Sequence, residues 1–161
     1  MTLHVDIQTA SDEPVPDEDD LRGWIAAAIA GAHPGVTDAE IGLRLVDTEE
    51  MARLNETYRG GTGPTNVLSF VADLPADLPD HVRRTLLGDI VICAPVVRDE
   101  AAAQGKTPEA HWAHMAVHGT LHLLGYDHIE EHEAAAMEAL ESRILGELSF
   151  PCPYGDANTE H

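Results

Sequence analysis

The stretch Thr107-Pro108-Glu109-Ala110-His111-Trp112-Ala113-His114-Met115-Ala116-Val117-His118-Gly119-Thr120-Leu121-His122-Leu123-Leu124-Gly125-Tyr126-Asp127-His128 decides how this chain is read. Thr107 offers an N-cap hydroxyl, Pro108 suits the first helical position, and Glu109 places an acid in the first turn. The pattern predicts a helix to Leu124, with Gly125 as a left-handed C-terminal cap. At 100° per residue, His111, His114, His118 and His122 fall at about 0°, 300°, 340° and 20°, a stripe about 80° wide. Ala113, Ala116, Val117, Leu121 and Leu124 lie off that stripe. One side of the helix is therefore expected to face a core and the other to carry imidazoles.

A single histidine such as His111 reads as a surface or hydrogen-bonding residue. His118 and His122 differ, because one turn apart their rings project from the same face and can share a metal. Gly125 ends the helix and returns His128 toward the same point, giving His118-x-x-x-His122-x-x-Gly125-x-x-His128. Three neutral imidazoles with an open fourth position describe a catalytic zinc site. Nitrogen ligation suits Zn²⁺, and Ni²⁺ or Cu²⁺ would also bind. Metzincin proteases use the same ligand spacing, H-E-x-x-H-x-x-G-x-x-H. Here the second position is Gly119, so the glutamate that serves as their general base is missing. Asp127, Glu130 and Glu131 are the nearby carboxylates that remain as substitutes. Their simpler roles are orientation of a ligand histidine for Asp127 and helix-start acids for the other two.

Outward from this helix, the first part of the chain alternates. Leu3, Val5 and Ile7 against His4, Asp6 and Gln8 have the period of a half-buried strand, as do Ile41, Leu43 and Leu45. A first helix is expected from about Glu18 to Ala30, ending at Gly31. A second starts after Asp47, three residues before Glu50 in a capping-box-like arrangement, and runs to about Tyr58. Arg59 to Pro64 reads as a loop, Asn66 to Ala72 as a third strand and Asp89 to Cys93 as a short buried one. A helix from about Val96 to Gln104 precedes the histidine helix, and another covers about Glu130 to Leu148. Strands early and helices late predict a single α+β domain over residues 1–161: one small mixed sheet, about five helices and a flexible tail from about residue 149.

Composition bounds the partners. The chain has 161 residues and a formal charge of −20, from nine Lys+Arg against 29 Asp+Glu. That excludes a basic protein that coats nucleic acid through its overall charge. Met1 to Ala10 shows no signal-peptide pattern, and the apolar run Trp24 to Ala32 is far shorter than the ~20 residues of a membrane span. Cys93 and Cys152 form no C-x-x-C pair, and Cys93 reads as a buried small hydrophobe. A cytoplasmic protein with no membrane partner is expected.

The run His111 to His128 resembles the signature of the bacterial YbeY endoribonucleases. Tyr58-Arg59-Gly60, Pro64-Thr65-Asn66-Val67-Leu68-Ser69-Phe70 and Leu87-Gly88-Asp89-Ile90-Val91-Ile92-Cys93 resemble segments of that family in the same order. The likeness spans roughly residues 40–148, with Pro153-Tyr154 near the end. Val71 stands where the family has a proline, and Cys152 where it has an acid before the proline. The resemblance implies a zincin-like metal-hydrolase fold and a zinc-dependent endoribonuclease specific for single-stranded RNA. Such enzymes act in 3′-end maturation of small-subunit (16S) ribosomal RNA and in ribosome quality control. His118, His122 and His128 would be the zinc ligands. Arg59 matches a loop arginine of functional standing in the family, suited to a two-pronged phosphate contact. The small ribosomal subunit and the GTPase Era are the implied partners.

Two other readings stay open at this stage: a zinc peptidase or amidohydrolase with another base, and a non-enzymatic ribosome-assembly factor whose metal is structural. The nine cations are scattered in sequence, so weak intrinsic RNA affinity is expected, with partners delivering the substrate. Without a base at Gly119, attack by metal-activated water is favoured over attack by the ribose 2′-hydroxyl. His114, one turn before His118, is a candidate proton shuttle or a hydrogen-bonding group behind the ligands.

Overall fold

The computed structural model describes residues 2–72, 74–75, 77–79, 86–126 and 131–153, the side chains of residues 131 and 132 excepted. Four strands, β1 (Thr2–Ala10), β2 (Asp38–Val46), β3 (Val67–Val71) and β4 (Leu86–Cys93), form one sheet in the order β1-β2-β4-β3. β1 and β2 are parallel with Val5 opposite Ile41, and β2 and β4 are parallel with Leu43 opposite Ile90. β3 runs antiparallel to β4 with Ser69 opposite Ile90. The described helices are α1 (Glu18–Ala32), α2 (Thr48–Arg59), α3 (Ala94–Gln104), α4 (Pro108–Leu123) and α5 (Glu131–Glu147). This is the expected α+β architecture, a mixed sheet with five helices.

The alternating strands put Leu43, Leu45, Ile90 and Ile92 into the main core with Leu21, Ile25 and Ile29 of α1, Val117 and Leu121 of α4, and Ile144 and Leu145 of α5. α2 belongs to a second, smaller cluster, where Met51 meets Val46, Leu68, Val91 and the buried Cys93. α4 is thus wrapped by α1, α3, α5 and the β3–β4 side of the sheet. Its expected division into a core side and an imidazole side holds only in part: His111 and His114 are buried too, because α3 and α5 cover the histidine side.

Local differences from the sequence reading have physical causes. α1 passes through Gly31 to Ala32, because Gly31 is a packing position: a Cβ there would meet Ile144 Cγ1 at 2.8 Å. Asp47 does precede α2, yet its carboxylate accepts from the Ser11 hydroxyl and makes no side-chain cap bond. Arg59 is the last residue of α2, followed by a left-handed Gly60, and does not lie on a loop. Thr107 caps α4 as expected, its Oγ1 accepting from Ala110 N at 3.1 Å, and Gly125 adopts φ +100° after the helix. Phe150 packs edge-on against Trp24, with ring centroids 5.9 Å apart, and the rest of the expected tail, residues 154–161, lies outside the described residues.

Candidate functional site

α4 delivers His118 and His122 to the floor of an open cleft of about 650 Å³. Its walls include Arg59 from the end of α2, Asn66, Val67, Ser69 and Val71 along β3, and Tyr126 after the α4 cap. The i, i+4 spacing brings the two Nε2 atoms to 3.0 Å. Two donors bound at about 2.0–2.1 Å to one tetrahedral ion are about 3.3 Å apart, so this pair is spaced as co-ligands of one zinc would be.

The other ring nitrogen of His118 points into the protein. Its Nδ1 lies 2.5 Å from Glu141 Oε2, and His114 Nε2 lies 3.4 Å from Glu141 Oε1. Glu141 comes from α5 and is fully buried. Burial acts to raise the pKa of its carboxyl, but hydrogen bonds from His114 and His118 outweigh this and bring it down to about 2. An ionised Glu141 holds a proton on His118 Nδ1, which turns the Nε2 lone pair toward the cleft. His114, His118 and Glu141 also offer one ligand atom each within 4.8 Å of one another, a group able to hold a metal ion.

His114 lies behind the cleft, not in its lining. His111 is further back and fully enclosed, its Nε2 2.8 Å from Glu100 Oε1. It is a hydrogen-bonding histidine, though not a surface one. Burial pushes its pKa down against the pull of Glu100. His128 lies outside the described residues, as do Asp127 and Glu130 and the side chain of Glu131.

Gly119 faces the sheet. A Cβ at this position would meet Ile90 Cγ2 at 2.9 Å, Val67 Cγ2 at 3.2 Å and Ser69 Oγ at 3.3 Å. Ser69 Oγ donates to Gly119 O at 2.9 Å and seals the approach of β3 to α4. A glutamate has no room where the proteases carry theirs. Across the cleft, Arg59 Nη2 donates to Ser69 O at 2.9 Å, which ties the guanidinium to the β3 rim. A smaller groove between α2 and the sheet, lined by Arg44, Glu50, Tyr58 and Phe70 among others, carries no histidine.

Comparison with known proteins bears on this geometry. The family model described as Endoribonuclease YbeY matches residues 6–149. The chain belongs to the YbeY endoribonuclease family. Among its relatives, the Endoribonuclease YbeY of Alcanivorax borkumensis is 54% identical over 160 residues, covering 99% of this chain and 90% of that one. That of Methylococcus capsulatus is 54% identical over 158 residues, covering 98% and 99%. A Thermotoga maritima protein solved in solution shares the fold at a TM-score of 0.59 and 23% identity, covering 97% of this chain and 93% of that one.

Within this YbeY-family chain, Glu141 is the residue that sequence reasoning missed. The signal was present: Met137, Leu140, Ile144 and Leu145 place position 141 on the apolar face of α5, where an acid calls for a buried partner. No helix among the described residues is long and apolar enough to cross a membrane.

Proposed function

We propose that this chain is a metal-dependent endoribonuclease that cuts single-stranded RNA, with His118, His122 and His128 as ligands of one zinc ion. The observation that carries this reading is the His118–His122 pair at 3.0 Å on a cleft floor in a YbeY-family chain, with His118 held from behind by Glu141. The alternative group of His114, His118 and Glu141 is closed to substrate, since Glu141 and His114 are both buried. An ion there would be structural; the Nε2 side of His118 opens to solvent.

A divalent ion at the cleft supplies Lewis acidity toward a phosphodiester. The protein's own groups set the geometry. Glu141 keeps the proton on His118 Nδ1. Arg59, anchored by one bond to Ser69 O, offers its remaining N–H groups to a phosphate and offsets charge in the transition state. His114 acts through Glu141 as a positioning residue, the second of the two roles its place on the stripe allowed. Gly119 puts no carboxylate at the position where the metzincins carry their base, which disfavours the peptidase reading and makes water, not the ribose 2′-hydroxyl, the proposed nucleophile.

Family membership supports the finer assignment: 3′-end maturation of 16S ribosomal RNA and ribosome quality control, in the cytoplasm, with the small ribosomal subunit and the GTPase Era as partners. The test is metal content of the purified protein together with cleavage of a single-stranded RNA, with His118→Ala as control. One zinc per chain and cleavage lost with it in the variant is the expected result. Full cleavage by metal-free protein would overturn the reading.

A further inference from the structure

Among the described residues β3 ends the sheet, and β4 uses only one of its two edges. Cys93 N donates to Asn66 O at 2.9 Å and Ala72 N donates to Leu87 O at 3.1 Å, so the even-numbered residues of this segment face β4. In an antiparallel pair the N–H and C=O of one residue point the same way and alternate along the strand. Val67, Ser69 and Val71 therefore turn their main-chain groups to the outer edge. Two side-chain bonds agree: Asn66 Oδ1 accepts from Val67 N at 2.7 Å, and Arg59 Nη2 reaches Ser69 O. The Val67 carbonyl, the Ser69 N–H and both main-chain groups of Val71 lie along this edge and take no part in the β3–β4 ladder. All three residues line the cleft that holds His118, His122 and Arg59, and Val71 is 64% exposed.

We propose that this outer edge of β3 binds unpaired nucleobases, and that it is the element that selects single-stranded RNA; the inference rests on the function proposed above. An open strand edge is a row of alternating donors and acceptors that recruits an extended chain. The Watson–Crick edge of an unpaired base carries the same mixture, and in a duplex that edge is already spent on its partner. A double strand therefore has nothing to offer these groups. Charge points the same way. A chain of net charge −20 is poorly suited to hold RNA through phosphates alone, whereas main-chain bonds to bases need no cations. An extended peptide would use the same groups, but the lack of space for a carboxylate at Gly119 and the family of this chain favour RNA.

The experiment uses the full-length metal-loaded protein and three forms of one unstructured oligonucleotide with a mapped cleavage site: the intact strand, a strand with abasic nucleotides on either side of that site, and a strand with 4-thiouridine at those two positions for photocrosslinking. The family carries proline at position 71, so the test leaves that residue unchanged and reads the whole edge. Expected are about tenfold weaker binding and kcat/KM on the abasic strand, the loss of about one hydrogen bond. The thiouridines should crosslink to residues 67–71. Crosslinks confined to other segments would overturn the proposal. So would cleavage of the abasic strand at the rate of the intact one. Protein that cleaves none of the three would instead overturn the endoribonuclease reading and this inference with it.

Discussion

His118 and Glu141 stand 23 positions apart in the chain and meet at 2.5 Å between Nδ1 and Oε2, deep behind the cleft. The contact fixes which nitrogen of His118 faces the cleft, and it links α5 to the chemistry of α4.

Glu141→Gln keeps the shape and removes the charge. Metal affinity should fall about 10–100-fold, the usual cost of losing a partner behind a ligand. Titration against a competing chelator measures it, and unchanged affinity would remove Glu141 from the site.

Replacing a ligand has a larger effect. With the three ligands proposed above, His118→Ala and His122→Ala should each lose the ion and the cleavage activity together, because two histidines would neither hold nor polarise as three do. Stoichiometric zinc in the double variant would show that the ion sits elsewhere.

Gly119→Ala tests the close approach of α4 to the sheet. Its Cβ would meet Ile90 Cγ2 at 2.9 Å, and overpacking of this kind costs about 1–3 kcal/mol. Denaturant unfolding of the protein should register that loss. A variant as stable as the parent would mean that β3 and β4 yield easily.

Arg59→Lys should impair cleavage nearly as much as Arg59→Ala if the guanidinium grips a phosphate with two prongs, since an ammonium cannot reproduce that geometry. Stability should change by only about 1 kcal/mol, the worth of the single bond to Ser69 O. Full activity in the lysine variant would show that a positive charge is enough.

Acid should weaken the fold through His111. Burial lowers its pKa, while Glu100 raises it and Lys106 and His114 lower it further. Below the ordinary histidine value of about 6.5, the unfolded chain binds a proton that the folded chain refuses, so stability falls as pH drops through that window. His111→Gln should flatten this part of the stability–pH curve. An unaltered slope would assign it to other groups.

The sequence by itself determined α4 and most of its chemistry. Capping, helical period and the i, i+4 spacing of His118 and His122 are local properties, and they specify a paired imidazole site whatever surrounds the helix. The alternating strands were legible for the same reason. Tertiary structure decided everything that depends on which element covers which. The periodicity of α5 marks Glu141 as buried, but only the packing of α5 on α4 brings it to His118. Gly31 looks like a helix end until Ile144 packs against it, and Gly119 looks like a missing base until Ile90 and Val67 occupy the space. Arg59 reaches the cleft because α2 ends opposite β3, and β3 exposes an edge because the order β1-β2-β4-β3 leaves it outermost. A residue pattern encodes the direction a side chain takes from its own helix or strand. The neighbour it finds there comes from a distant part of the chain, and only the packed fold supplies it.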